Sequence, residues 1–252
     1  MEKYKKKKII IIIFKKFISF LFKLQYGKIK NSKIKNNDIK IFKVKKGKLK
    51  LAFYKIKKCR VYTDTIHDTA YINNNIIIKG PSFQLRNFIN SKIQNNKILM
   101  KSTQRLLKKI SGSTLSILTG GGGNNNYWHW MFDVLPRIGL IEKKFNLKSF
   151  DHILVPDKKY KFQIETLKLL KIYKKSLSSK KYKHIFSDNV MATTHPWQHS
   201  NSAHKDIGNI PKWISIWLRK KFIDFRSKKK FFKKIYIDRS DSTTSKSSTR
   251  QI

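Results

Sequence analysis

The chain has 252 residues, with 58 Lys and Arg against 14 Asp and Glu, a formal net charge of +44. Its 40% hydrophobic content, with 17 Phe, 10 Tyr and 5 Trp, excludes a chain that is disordered throughout. The single Cys59 excludes an intramolecular disulfide and a cysteine-rich zinc site. Such a charge points to nucleic acid, an anionic membrane surface or an acidic substrate. Lys, Ile, Asn and Phe are abundant together, however, and all have A/T-rich codons, so base composition accounts for the charge as well.

The N-terminus reads MEKYKKKKIIIIIFKKFISFLFK, a basic cluster ahead of an apolar run, which is the grammar of a signal peptide or anchor. Lys15 and Lys16 divide that run, so each half falls short of the roughly 20 residues a spanning helix needs. No small-residue cleavage site follows. Two readings stand: an interfacial amphipathic helix on an anionic membrane, with lysine heads snorkelling, or a basic, partly disordered leader. Residues 1–58 are expected to form this leader, with some strand-like alternation between 39 and 56.

From Cys59 the texture becomes globular. CRVYTDT and AYINNNIIIKG predict short strands, the second bent at residues 73–75. QRLLKKI predicts a short helix or its end, and STLSILTG a buried strand running into glycine. DHILVP predicts a strand stopped by Pro156. FQIETLKLLKIY, with Ile164, Leu167 and Leu170 at helical spacing, predicts an amphipathic helix. HIFSDNVMATTHP reads as strand then loop, and NIPKWISIWLRKKFIDF as a helix with Pro211 near its first turn. KKIYIDRSD is expected to be a last strand entering a loop. Alternating strands and helices predict an α/β layered fold. The expected divisions are the leader 1–58, an α/β lobe 59–227, and a lysine-rich linker with the start of a second lobe, 228–252.

The stretch GGGGNNNYWHWMFDVLPRIGLI, residues 120–141, carries the strongest signal. Its glycines permit a sharp strand-to-helix turn, and Asn124 to Asn126 can cap the helix that follows. A phosphate-binding reading is weak, because neither a dinucleotide fingerprint nor a GK[ST] is present. On a helical wheel Trp130, Val134, Ile138 and Ile141 share one face, while His129, Asp133 and Arg137 form a polar stripe at i, i+4 spacing. Pro136 removes an amide that would bond the carbonyl of Phe132, which predicts a kink. Polar groups on an otherwise apolar helix need partners when buried. The stripe is therefore either a self-satisfied network that fixes the helix, or a cleft wall in which Asp133 tunes His129 as a base. His195, His199 and His204 share one loop, but their gaps lack the second motif or carboxylate that a zinc site needs. His195 serves there as an acceptor contact or a plain loop residue.

The string NYWHWMFDVLPRIGLIE resembles a signature of glycosyltransferase family 61, whose bacterial members are often described as capsular polysaccharide biosynthesis proteins. DHILVP, HPWQHSNSAHKDIGNIPKWISIWLR and KIYIDRSD resemble later blocks of that family in the same order, so the likeness covers roughly residues 60–252. It implies an N-terminal Rossmann-like lobe of a GT-B glycosyltransferase, with only the first strand of the second lobe present, since STRQI reaches Arg250 and Ile252 where the family's arginine-rich stretch continues. The resemblance implies an inverting, metal-independent transfer with no cofactor, from a nucleotide-sugar donor to a glycan acceptor in surface polysaccharide biosynthesis. It also implies a chain inactive in isolation.

For such a reaction His129 and Asp133 are the expected catalytic residues, one as general base and the other as its orienter. Arg137, Asn126 and His195 are expected to contact substrate. Arg239 and Ser240, in DRSD, are expected to receive the leaving diphosphate. The expected location is the cytoplasm, peripheral to the inner face of the membrane if the leader docks there. The competing reading is a non-enzymatic polyanion binder, of nucleic acid or anionic membrane. Against a specific nucleic-acid partner, the basic residues are spread through the chain and no helix-turn-helix, zinc finger or RNA-binding signature is visible.

Overall fold

The computed structural model describes residues 2–32, 37–46, 49–65, 67–86, 89–90, 92–119, 125–200 and 202–223. A long helix α1, Glu2–Tyr26, precedes β1, Ile39–Lys46, and β2, Leu49–Thr63. Then come β3, Asp68–Asn73, β4, Ile76–Ile77, β5, Phe83–Arg86, and β6, Ile89–Asn90. A short α2, Ile98–Lys101, leads into β7, Lys108–Ser116. The helical stretch after β7 comprises α3, Tyr127–His129, a π-helical turn, Trp130–Val134, and α4, Pro136–Ile141. The rest is β8, His152–Val155, α5, Lys161–Leu169, β9, Ser176–Ser178, β10, His184–Thr193, α6, Ala203–Ile207, and α7, Lys212–Phe222.

The fold is mixed α/β on a ten-stranded sheet of order β6-β5-β3-β2-β10-β7-β8-β9, with β1 on β2 and β4 on β3. One half is parallel: β10, β7, β8 and β9 all run the same way. The other half is antiparallel and begins at β2, which pairs with β10 from Phe53 opposite Thr193 to Tyr62 opposite His184. β7 is followed in space by β8 and β9 on one side and by β10 on the other. The strand order therefore reverses between β7 and β10, which in open α/β sheets opens a crevice at the carboxyl ends of the two strands.

Side chains alternate across the sheet, as the period of two requires. Leu115, Ile153, Val155 and Met191 face the helices, where they pack with Trp130, Val134, Ile138, Leu167 and Ile214. Leu154, Val190 and Ala192 pack on the other face with Ile56, Cys59 and Val61. Each such aliphatic side chain taken fully out of water contributes about 1.5–3 kcal/mol. Gly139 lets α7 approach closely, since a Cβ there would stand 3.0 Å from the ring of Trp217. The Trp217 indole donates to Glu142 Oε1 at 2.5 Å, and Lys221 pairs with the same carboxylate at 2.7 Å.

Several expectations change. The boundary expected at 58/59 falls inside β2, so the segment expected to be a leader contributes a central strand rather than an appendage. QRLLKKI is not a helix: Lys108 opens β7, and its ladder with β10 dictates strand geometry. The bend at residues 73–75 is a hairpin turn, with Asn74 and Asn75 both at positive φ, as a two-residue connection between twisted strands favours. The expected last strand, the linker at 228–234, Arg239 and Ser240 lie outside the described residues. No helix among the described residues is long and apolar enough to cross a membrane.

Candidate active site

The helical stretch that follows β7 starts where its sequence allows. Asn126, extended at φ −104° and ψ 119°, accepts the amide of His129 on its side chain at 3.2 Å and so caps the first turn. Asn126 is exposed, and the contact it makes is with its own helix rather than with the polar stripe. One turn on, the ladder widens: the amide of Leu135 reaches the carbonyl of Trp130 at 3.0 Å, five residues back. Pro136 has no amide to give. Leu135 keeps helical angles, at φ −60° and ψ −39°, and the π turn just before it accommodates the proline. Such turns inside helices are frequent at functional sites.

That turn presents His129 and Asp133 to each other. His129 Nδ1 lies 2.7 Å from Asp133 Oδ2. The other oxygen, Oδ1, accepts the indole N–H of Trp197 at 2.7 Å and stands 3.8 Å from His195 Nε2. Desolvation alone raises the pKa of this buried carboxyl. Hydrogen bonding from His129 and the nearby His195, with the attraction of both rings, more than offsets burial and brings it down to about 2. Asp133 is thus a carboxylate that only accepts.

The tautomers follow from the partners. Since Asp133 cannot donate, His129 Nδ1 carries a proton, and in the neutral ring Nε2 carries the lone pair. The ring of His129 is 35% exposed while Asp133 is 4% exposed, so the basic nitrogen belongs to the solvent side of the pair. His195 has the opposite arrangement: its Nδ1 accepts the backbone amides of Trp197 at 3.4 Å and Gln198 at 3.0 Å, which puts its proton on Nε2, toward Asp133. Burial lowers the pKa of His195 and keeps it neutral.

Arg137 takes a different place from the one its spacing suggests. It does not bond the Asp133 carboxylate. Its Nε donates to the backbone carbonyl of Asp133 at 3.0 Å, and its Nη1 donates to the carbonyl and hydroxyl of Thr193 at 3.1 and 3.2 Å. The mutual satisfaction of His129, Asp133 and Arg137 expected from the helix alone is therefore divided: the loop after β10 completes both halves. Burial lowers the Arg137 pKa, while Tyr71 and Asp133 hold it up, and a guanidinium stays charged. Arg137 also lines a pocket of about 520 Å³ with Gln84, His195, Gln198 and Ser200.

The loop is itself organised. Asp206 accepts the amides of His199 and Ser200 at 3.0 and 2.9 Å, and His199 Nδ1 lies 3.4 Å from the same carboxylate. Among the described residues no group of three or more metal-ligating side chains comes together. Sequence reasoning missed Trp197 and Thr193. The signal for Trp197 was available: an indole that becomes buried looks for an acceptor. Compared with protein-family models, curated proteins and solved structures, the chain matches none.

One expectation concerns acid. Asp133 has a folded pKa of about 2, below its ordinary 3.8, so the carboxylate stabilises the fold above about pH 4 and loses that contribution as pH falls toward 2. The contribution is about 2 kcal/mol. Urea midpoints measured across this window should fall less steeply for Asp133→Asn than for the unaltered chain. Equal slopes would remove Asp133 from the account.

Proposed function

We propose that this chain is the acceptor-side, Rossmann-like lobe of an inverting GT-B glycosyltransferase, moving a sugar from a nucleotide-sugar donor to a glycan hydroxyl in surface polysaccharide assembly. The observation that carries this reading is the His129–Asp133 pair on the helical stretch that follows β7, with a part-exposed imidazole hydrogen-bonded to a buried carboxylate. An inverting transfer needs one base at the acceptor. His129 Nε2 takes the proton of the acceptor hydroxyl as that oxygen attacks the anomeric carbon. The bond from that carbon to the donor's diphosphate breaks on the opposite side, and the nucleoside diphosphate leaves with the bonding pair. Asp133 stabilises the imidazolium that forms.

The neighbouring pocket suits a sugar ring. Gln84, Gln198 and Ser200 offer polar groups, Pro81 and Phe83 an apolar side, and Arg137 a fixed cation. The Gln198 side-chain carbonyl is buried without a protein partner among the described residues, a ready acceptor for a sugar hydroxyl. In this reading Arg239 and Ser240 receive the diphosphate.

The test is transfer from a panel of nucleotide sugars to surface-glycan acceptors by the enzyme carrying this chain, unaltered and as His129→Ala. The variant should lose about 10²- to 10⁴-fold in kcat, with the acceptor KM little changed. An unchanged rate would sink the proposal.

A further inference from the structure

The chemistry proposed at the crevice leaves α1 unused, and α1 is built for a surface. Its body-facing side chains are few. Ile18, Ser19, Phe22 and Tyr26 are half-buried. Tyr26 accepts the amide of Leu107 at 2.9 Å and meets the ring of His184 edge-on at 5.0 Å. Just past the helix, the carbonyl of Gly27 accepts Ser102 Oγ at 2.7 Å. The helix is thus fastened at its C-terminal end. Away from the body, Ile13, Phe14, Phe17, Phe20, Leu21 and Leu24 stand 46–66% exposed. At 100° per residue they cover about 120° of arc, a continuous apolar stripe. Lys16 and Lys23 border it along one side.

Beside α1 lies a cleft of about 1060 Å³, at the end of the sheet where β7 and β10 begin. Lys15 and Lys16 line it from the helix, and Arg105, Lys108, Lys181 and Lys183 from the sheet side; no acidic residue is among its described lining. An apolar stripe and a cationic trough therefore lie along one helix. A nucleic acid would neutralise the trough and leave the stripe in water. A bilayer surface with phosphate headgroups takes both, the stripe among the acyl chains and the cations at the headgroups.

We propose that α1 and this trough form a docking surface for an anionic lipid bilayer, with the helix lying in the plane of the interface. The parallel strands then start at the membrane and end at the candidate active site, so the crevice opens on the side away from the lipid. This surface is independent of the reaction proposed above.

The experiment is flotation of the full chain with phosphatidylcholine vesicles, with and without phosphatidylglycerol. Flotation is expected only with the anionic vesicles, and salt should weaken it. Phe17→Ser with Leu24→Ser changes exposed side chains only, so melting behaviour should hold while flotation is lost. Lys15→Gln with Lys16→Gln should lower partitioning by about thirtyfold, at about 1 kcal/mol per cation near the surface. Flotation that ignores the headgroup charge, or survives the Phe17 and Leu24 changes, overturns the proposal. So does full displacement by RNA with no effect of the apolar changes, which makes the trough a polyanion site. A dimer in solution that the same changes dissociate also overturns it, because a second copy then covers the stripe.

Discussion

Asp133→Asn is expected to lower sugar transfer by about 10²- to 10⁴-fold, although it alters only one atom of the side chain. The direction follows from the donors that surround the carboxylate. Trp197 donates to the Oδ1 position at 2.7 Å, and His195 Nε2–H faces it at 3.8 Å. An asparagine must keep its carbonyl there, since an amide NH₂ would meet two donors. Its NH₂ then faces His129 Nδ1, which can only accept from it. The imidazole proton moves to Nε2, the nitrogen that the proposed transfer requires free to take a proton from the acceptor. The imidazolium also loses its counter-charge. Transfer rates measured beside acceptor affinity and melting temperature check this: the rate should collapse while affinity stays within a few-fold. A variant that keeps a third of the rate would show that Asp133 does not orient the base.

Arg137→Met should cost about 1–3 kcal/mol of folding stability, the range for leaving buried hydrogen-bond acceptors without a partner. Methionine fills much of the volume but donates nothing. The carbonyls of Asp133 and Thr193 lose their partner inside the protein, and Asp133 loses a nearby positive charge. Arg137→Lys should recover only part of the loss, because an ammonium cannot span the helix carbonyl and the strand end with a planar fork. Urea unfolding of the three proteins tests this, and a loss under about 1 kcal/mol for the methionine variant would contradict it.

The helix from Tyr127 to Ile141 was legible because its partners repeat at i, i+4, and local spacing alone puts His129 on Asp133. The other half of the site was not. Arg137 bonds backbone atoms of a strand end 56 residues later, and backbone atoms carry no signature in sequence. Trp197 reaches Asp133 across 64 residues. The same limit explains β2. Its strand-like alternation up to residue 56 and a strand from Cys59 are visible in the sequence, but not that they form one central strand, in which Leu51, Phe53, Ile56, Cys59 and Val61 are buried while the lysines between them stay exposed. QRLLKKI is a short apolar run in which helix and strand cannot be told apart by period; pairing with β10 decides it.

The position of β2 sets the order of events at the ribosome. One edge of β2 is filled early, by β1 and β3. Its other edge waits for β10, whose last residue emerges 130 residues after Thr63. At common synthesis speeds that interval is on the order of ten seconds. During it a strand with buried-type residues offers unpaired amides and carbonyls to any neighbouring chain. Lys55, Lys57 and Lys58, exposed on that strand, put like charges along the waiting edge. Like charges on this segment, whatever their origin in base composition, oppose the pairing of two such edges.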